Sequence, residues 1–192
     1  GGGGRPGDTD FAKVQGATLD VMTFATFAKA SGVAPRIAVN NGYCFAGNAV
    51  LFGCADVTIA TKSSYIGMGG PAMIEGGGLG AVAPTEVGPS DMQFSNGVID
   101  LLADDEADAV ATTKKLLGFF QGRVSAHECA DQRLLRHVIP EDRKRAYNMR
   151  EAIGLIADTG SVLEMRAGYG AGMITAFIRV EGRPFGLIAN NP

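Results

Sequence analysis

One stretch of the sequence, VNNGYCFAGNAVLFGCADVTIAT at residues 39–61, offers chemistry through its backbone rather than through titratable side chains. The small residues Gly42, Ala46 and Gly47 separate two β-branched segments. If a helix begins near Ala46, the N–H groups of Ala46, Gly47 and Asn48 lack intrahelical partners and lie at the positive end of the helix macrodipole. Such N–H groups can bind an oxyanion, and a glycine lets a substrate carbonyl come close.

A second interpretation of the same small residues is purely structural. Gly42, Ala46 and Gly47 would also be required if a helix and a sheet pack closely at this point. The pattern alone leaves both interpretations open.

The elements that must position this stretch are predicted from hydrophobic spacing. RIAVN and DVTIAT are predicted to be buried strands, and AGNAVLFGCA between them a short apolar helix. A strand, a helix and a second strand imply a crossover connection and a parallel pair. A helix that ends at Gly32 is predicted upstream, because apolar residues recur at steps of three and four: Val14, Ala17, Val21, Phe24 and Ala28.

The later sequence predicts two further helices and a hairpin. ADDEADAVATTKKLLGFF has acidic residues in its first turn and lysines near its end, as a helix macrodipole favours. YNMREAIGLIADTG is predicted to be a helix that ends at Gly160, and MITAFIRVEGRPFGLIANN a β-hairpin around EGRP. Residues 121–145 are polar and are predicted to link one domain over residues 1–120 to a second that starts at residue 146.

Composition narrows the class of protein. A chain of 192 residues with 46% hydrophobic residues, 19% charged residues and a mean hydropathy of +0.11 is typical of a globular protein. The net charge of −3 gives no electrostatic reason to expect nucleic acid as a partner, and no apolar run is long enough to predict a membrane span. Three cysteines without close spacing favour reduced thiols in a cytoplasmic compartment, and no metal site is predicted.

An ordered set of segments resembles one family. The segments are GGGGRPGDTD, SGVAPRIAV, GYCFAGNAV, EVGPSDMQFSNGVIDLLADDEADAV, KRAYNMREAI and VEGRPFGLIANNP. Together they are similar to the carboxyltransferase (β) subunits of biotin-dependent acyl-CoA carboxylases, of the propionyl-CoA carboxylase β kind, within the crotonase superfamily. The resemblance runs over nearly all 192 residues.

The resemblance implies an α/β fold, a crotonase-like ββα superhelix that is incomplete in this chain. Residues 1–120 would be the later part of an N-terminal carboxyltransferase domain, and residues 146–192 the start of a C-terminal one. The chain is therefore expected to be a fragment of a longer two-domain polypeptide.

The resemblance also implies an activity. A carboxyl group would move from carboxybiotin to the α-carbon of an acyl-CoA, and the biotin nitrogen would take the α-proton. Gly47, with Ala46 adjacent, would hold the thioester oxygen through its N–H. The acyl-CoA would contact five further residues: Gly3, Gly4, Arg5, Gly42 and Phe45.

The implied partners are a biotin carboxyl carrier or biotin carboxylase subunit and further copies of the chain, with sites between subunits. The implied location is the cytoplasm, or the mitochondrial matrix in a eukaryote. Two alternatives remain: a biotin-dependent acyl-CoA decarboxylase subunit coupled to a membrane pump, and a non-catalytic scaffold.

Three positions depart from related patterns. The family often has glycine where this chain has Ala46, and histidine where it has Gln93. Enoyl-CoA hydratases have a glutamate where this chain has Val50, so hydration by general acid and base catalysis is not expected.

Overall fold

A computed structural model describes residues 22–142 and 144–192 of the chain. The chain divides into two compact units, Gly1–Ala109 and Val110–Pro192, called here the first and the second unit. The predicted domain limits, at residue 120 and residue 146, remain predictions. No helix in the described ranges is long and apolar enough to cross a membrane.

Two sets of parallel strands make up the first unit. The strands β1 (Ile37–Asn40), β3 (Val57–Thr61) and β5 (Leu101–Ala103) form one sheet in the order β1-β3-β5. The strands β2 (Tyr43–Phe45) and β4 (Tyr65–Gly67) pair with each other. The predicted parallel pair of β1 and β3 is confirmed, with Ile37 opposite Val57.

Between residues 22 and 118 the helices are α1 (Met22–Lys29), α2 (Gly47–Gly53), α3 (Pro71–Gly76), α4 (Ser90–Ser95) and α5 (Glu106–Gly118). Helix α2 follows β1 and β2, and α3 follows β3 and β4, which gives the repeated strand, strand, helix order that the resemblance implied. The chain turns at Gly32, with φ of 75°, just after α1, as predicted. The part of that predicted helix from Val14 to Val21 lies outside the described residues.

The core of the first unit lies around β3, whose five residues are all buried. A strand covered on both faces favours a nearly continuous apolar and β-branched sequence, and DVTIAT provides one. The buried Thr58 hydroxyl donates to the Val98 carbonyl at 2.8 Å, and Asp100 accepts the Thr58 N–H at 2.8 Å. The polar groups of this strand are therefore satisfied inside the core.

An ion pair joins the residues that precede β1 and β3. The Arg36 guanidinium donates to both carboxylate oxygens of Asp56, at 2.7 and 3.2 Å, and lies 5.2 Å from the centre of the Phe27 ring. These hydrogen bonds lower the pKa of Asp56 to about 2. The pair fixes the starts of two strands that are twenty residues apart in the sequence.

The second unit is built on an antiparallel sheet. It contains α6 (Met149–Ile156), β6 (Leu163–Met165), β7 (Met173–Val180) and β8 (Arg183–Asn190), with the strand order β6-β7-β8. The predicted hairpin is confirmed, with Val180 opposite Arg183. The helix α6 ends four residues before the predicted Gly160, because Ala157 is already extended, with ψ of 152°.

The segment predicted as a linker, residues 121–145, is hydrogen-bonded to the rest of the second unit. Val124 N–H donates to the Gly182 carbonyl at 3.0 Å, and Thr159 N–H donates to the Glu128 carbonyl at 2.7 Å. The segment also contains a 3₁₀ helix at Gln132–His137.

Candidate active site

The turn between β2 and α2 consists of a single residue, Ala46. Phe45 ends β2, Gly47 begins α2, and Ala46 between them has φ of 53° and ψ of −126°. These angles match the first central position of a type II′ turn, which glycine usually occupies. A residue other than glycine held in such a conformation costs about 1–3 kcal/mol, and residues of this kind cluster at functional sites.

The N–H of Ala46 is already used within the fold. It donates to the Gly67 carbonyl at 3.2 Å, which extends the pairing of β2 with β4 by one residue. This N–H lacks an intrahelical partner, as expected from the sequence, but its bond to the strand means that it does not point freely out of the helix end. The physical reason is that the β2–β4 ladder runs through the turn instead of stopping at Phe45.

The N–H of Gly47 differs from that of Ala46. The first hydrogen bond of α2 runs from Val50 N–H to the Ala46 carbonyl at 3.1 Å, so Gly47, Asn48 and Ala49 have no intrahelical acceptors. Within the described residues, no acceptor is found for the Gly47 N–H. At this turn the Ala46 N–H is therefore bound to the sheet, whereas the Gly47 N–H has no acceptor among the described residues.

The α-carbon of Gly47 lies close to helix α1. A Cβ added to Gly47 would lie 3.3 Å from the ring atom Cζ of Phe24. Gly47 is half-buried, and it is not among the glycines with positive φ. The packing interpretation of Gly47 is thus supported by its closeness to Phe24, and the donor interpretation by the lack of an acceptor for its N–H among residues 22–142 and 144–192.

The strand β4 is held on the edge that faces away from β2. Ile66 N–H donates to the Gly88 carbonyl at 2.8 Å, and the side-chain amide of Gln93 donates to the Ile66 carbonyl at 2.6 Å. Gly88 has φ of 57°, and a Cβ there would overlap the Ile66 carbonyl oxygen. Neither Gly88 nor the Gln93 amide was predicted from the sequence to have a role, although a glycine beside a short strand is a signal of close approach.

Titratable side chains around the turn are few. From Gly42 to Gly53 they are Tyr43 and Cys44. Cys44 is buried, and burial raises the pKa of its thiol, which keeps it protonated and unsuited to act as a nucleophile. Tyr43 stacks on Tyr65 with ring centroids 5.3 Å apart. Over Gly42 to Gly53, backbone N–H groups are therefore better candidates for chemistry than these two side chains.

The structure brings together four of the predicted site residues on the β2 segment: Gly42, Phe45, Ala46 and Gly47. Gly42 has φ of 92°, and its carbonyl accepts the Tyr65 N–H at 2.9 Å. The Phe45 side chain is 9% exposed, so little of it is open to a ligand. The acyl-CoA contacts predicted for Gly42 and Phe45 remain predictions.

The other predicted contacts, Gly3, Gly4 and Arg5, lie outside the described residues. Over residues 22–142 and 144–192, no group of three or more histidine, cysteine, aspartate or glutamate side chains is placed to hold a metal ion.

Comparison with known proteins identifies relatives over most of the chain. A family model described as "Carboxyl transferase domain" matches residues 8–192. The methylmalonyl-CoA carboxyltransferase 12S subunit of Propionibacterium freudenreichii subsp. shermanii is 33% identical over 89% of this chain and 34% of its own length. The biotin-dependent 3-methylcrotonyl-coenzyme A carboxylase beta1 subunit of Mycobacterium tuberculosis is 32% identical over 82% of this chain and 32% of its own length.

Solved structures give the same result. A single-chain, multi-domain long-chain acyl-CoA carboxylase matches all of this chain with a TM-score of 0.91 and 54% identity, over 19% of its own length. A transcarboxylase 12S structure, described as a hexamer with hydrolysed methylmalonyl-coenzyme A bound, matches 88% of this chain with a TM-score of 0.77 and 33% identity. The chain spans about a third of the length of the curated relatives described above.

Proposed function

The chain belongs to the carboxyl transferase domain family, and on that premise we propose that it moves a carboxyl group from carboxybiotin to the α-carbon of an acyl-CoA. The acyl-CoA is suggested by the names of the relatives, which include carboxylases of 3-methylcrotonyl-CoA and of long-chain acyl-CoA. A biotin-carrying partner is suggested because relatives are described as biotin-dependent. The fold expected for this chemistry is present, since the chain matches the long-chain acyl-CoA carboxylase structure closely.

The observation that carries the proposal is the difference between two consecutive N–H groups. Ala46 N–H is bound to the Gly67 carbonyl, whereas Gly47 N–H has no acceptor within the described residues. A donor fixed by a strained turn costs no reorganisation when negative charge develops on a substrate oxygen. We assign the Gly47 N–H to the thioester oxygen of the acyl-CoA.

The chain's own residues then have separate tasks. Gly47 donates to the thioester oxygen as the α-carbon gains electron density, and Ala46 sets the direction of that N–H. Carboxybiotin, when bound, would supply the carboxyl group. No described residue is assigned to it, and its contacts are sought outside residues 22–192. The near absence of titratable side chains around the turn fits a site that stabilises charge without transferring a proton itself.

Proline at position 47 is a poor test of the donor. It would remove the N–H, but proline restricts the preceding residue to an extended conformation. Ala46, with φ of 53° and ψ of −126°, could not adopt it without reorganising the turn. A backbone ester at position 47, made by replacing Gly47 with glycolic acid, removes the N–H and keeps the shape.

In the complete protein with its biotinylated partner, the ester at position 47 should lower kcat by roughly 10²–10³, about 3–4 kcal/mol. The matched control is an ester at Ala107, an exposed residue, which removes an N–H in the first turn of α5 and should change kcat by less than about threefold. Equal kcat values for the two esters and the all-amide enzyme would show that Gly47 is small for packing only.

The wider proposal is tested by assaying the purified protein against acyl-CoA substrates from acetyl-CoA to long-chain acyl-CoA. Co-purification of a streptavidin-reactive biotin carboxylase partner supports a carboxylase and argues against a decarboxylase. Absence of turnover with every acyl-CoA, in the presence of carboxybiotin on its carrier, would leave a scaffold role.

Assembly and location complete the proposal. We propose a homo-oligomer, on the basis of the hexamer described for the transcarboxylase 12S structure, with sites between subunits. Light scattering of the purified protein gives its mass in solution, and a monomer would contradict this part. We place the protein in the cytoplasm, or in the mitochondrial matrix of a eukaryote, which cell fractionation tests.

A further inference from the structure

The strand β4 lies between β2 and the segment that leads into α4. On the β2 side, Tyr65 N–H donates to the Gly42 carbonyl at 2.9 Å, and the Gly67 carbonyl accepts the Ala46 N–H at 3.2 Å. Both backbone groups of Ile66, the residue between, face the opposite edge. An alternation of this kind is expected for a strand that has neighbours on both sides.

On its second edge, β4 is bound by one backbone group and one side chain. Ile66 N–H donates to the Gly88 carbonyl at 2.8 Å, as it would to a paired strand. The Ile66 carbonyl, however, is bound by the side-chain amide of Gln93 at 2.6 Å. A side chain thus occupies a position that a strand N–H would normally fill.

The backbone of Gln93 is itself fixed. Its N–H donates to the Pro89 carbonyl at 3.0 Å within α4, and its carbonyl accepts the Val98 N–H at 2.9 Å. The side-chain amide therefore extends from a rigid base to the Ile66 carbonyl. Gln93 can therefore hold β4 in a fixed position, because its backbone is hydrogen-bonded to Pro89 and Val98 and its side chain to Ile66.

We propose that Gln93 is a positioning residue for the Ala46–Gly47 turn. By holding the Ile66 carbonyl, the Gln93 amide fixes β4 so that the adjacent Gly67 carbonyl accepts the Ala46 N–H and the Gly47 N–H stays directed to the substrate oxygen. This inference rests on the proposed function for its catalytic consequence. Its structural half concerns the order of the turn and is measured without substrate.

The first test measures the turn directly. Gln93→Met keeps the length of the side chain and removes the donor, and Gln93→Glu places a carboxylate oxygen against the Ile66 carbonyl. Hydrogen exchange of the Ala46 amide, followed by mass spectrometry on the complete protein, should speed up by roughly tenfold in Gln93→Met and by more in Gln93→Glu. Gln132→Met, at an exposed glutamine of the second unit, is the matched control and should leave this exchange unchanged.

The second test separates positioning from general stability. With the natural partner present, Gln93→Met should lower kcat by roughly tenfold while KM for the acyl-CoA changes less than about twofold, because misplacing a donor affects the transition state most. Gln93→His, which restores an N–H donor, should recover part of both the kcat and the exchange protection. Loss of overall folding in Gln93→Met would make Gln93→His and Gln93→Glu the deciding pair.

The outcomes distinguish this inference from the proposed function. Unchanged exchange of the Ala46 amide in folded Gln93→Met and Gln93→Glu overturns the inference even if the enzyme carboxylates acyl-CoA. Faster exchange with an unchanged kcat also overturns it. A wild-type protein that turns over no acyl-CoA overturns the proposed function alone, and the exchange result then decides whether Gln93 orders the turn.

Discussion

Three of the described residues other than glycine have nearly the same positive φ, and two of them, one in each unit, lie in turns that differ in how the N–H groups are used. Ala46 in the first unit has φ of 53°, and Glu181 in the second has φ of 51°. Glu181 and Gly182, with φ of 75°, form the two-residue turn of the β7–β8 hairpin. Positive φ at both positions is what a type I′ turn requires.

The difference lies in what happens to the N–H groups. In the hairpin, both turn N–H groups are satisfied by one buried carboxylate: Asp158 accepts the Glu181 N–H at 2.9 Å and the Gly182 N–H at 2.7 Å. At the β2–α2 turn, Ala46 N–H is satisfied and Gly47 N–H is not, within the described residues. Strain alone is therefore no sign of function; strain beside an unused donor is a better one.

The largest effect is expected from breaking the satisfied turn. Asp158 is 5% exposed, and Asp158→Asn would keep one acceptor oxygen while placing an NH₂ group against the second N–H. The free energy of unfolding should fall by roughly 1–3 kcal/mol, the cost of a buried donor without an acceptor. Urea denaturation measures this, and exchange of the Gly182 amide should rise.

A matched control is available in the same unit. Among the described residues, the exposed Asp142 side chain accepts one N–H, from Lys144 at 3.0 Å. Asp142→Asn can still accept that N–H, so the free energy of unfolding should change by less than about 0.5 kcal/mol. Equal losses in the two variants would mean that the double acceptance by Asp158 has no special value.

A smaller effect is expected from relieving the strain at the first turn. Ala46→Gly removes about 1–3 kcal/mol of conformational strain and adds roughly 0.5–1 kcal/mol of backbone entropy cost. The net result should be a gain of about 1 kcal/mol in the free energy of unfolding, seen as a higher Tm.

The opposite sign is expected for the same substitution in a helix. Ala111 is exposed within α5, and Ala111→Gly should lower the free energy of unfolding by about 1 kcal/mol. If both glycine variants lower the Tm, Ala46 is not strained and the comparison with Glu181 does not hold.

The smallest effect is expected at Glu181. Asparagine followed by glycine is the preferred sequence of a two-residue hairpin turn, and Glu181→Asn keeps both backbone bonds to Asp158. The free energy of unfolding should rise by roughly 0.5–1 kcal/mol. Exposed Glu141→Asn serves as the control, and an equal rise there would attribute the gain to composition rather than to the turn.

The sequence predicted those parts of the fold in which a local pattern is long enough to be recognised. The apolar run before Thr61 predicts β3, and the EGRP turn between alternating residues predicts the hairpin. The strands β2, β4, β5 and β6 were not predicted individually, because each has three residues, too few to show a period.

The site was only partly predictable for a related reason. Gly47 could be proposed as a site residue because the absence of a side chain is evident from the sequence, and the family resemblance gave its proposed role. The conformation of Ala46 could not be predicted, since an alanine in a sequence does not indicate positive φ. The bond from Gln93 to the Ile66 carbonyl joins residues 27 apart, and no local pattern encodes that distance.

The strand pairings also set the order in which parts of the chain can assemble. The hairpin pairs Val180 with Arg183, so its strands meet as soon as both exist, on the order of 1–10 μs for such an event. The central strand β3 pairs with β5 at Ile59 and Leu101, across a loop whose closure costs more entropy. During synthesis the first unit is made first. Its central strand β3, however, cannot pair with β5 until about forty more residues have been added. The edge of β3 that pairs with β5 in the folded protein stays unpaired until residue 103 has been made.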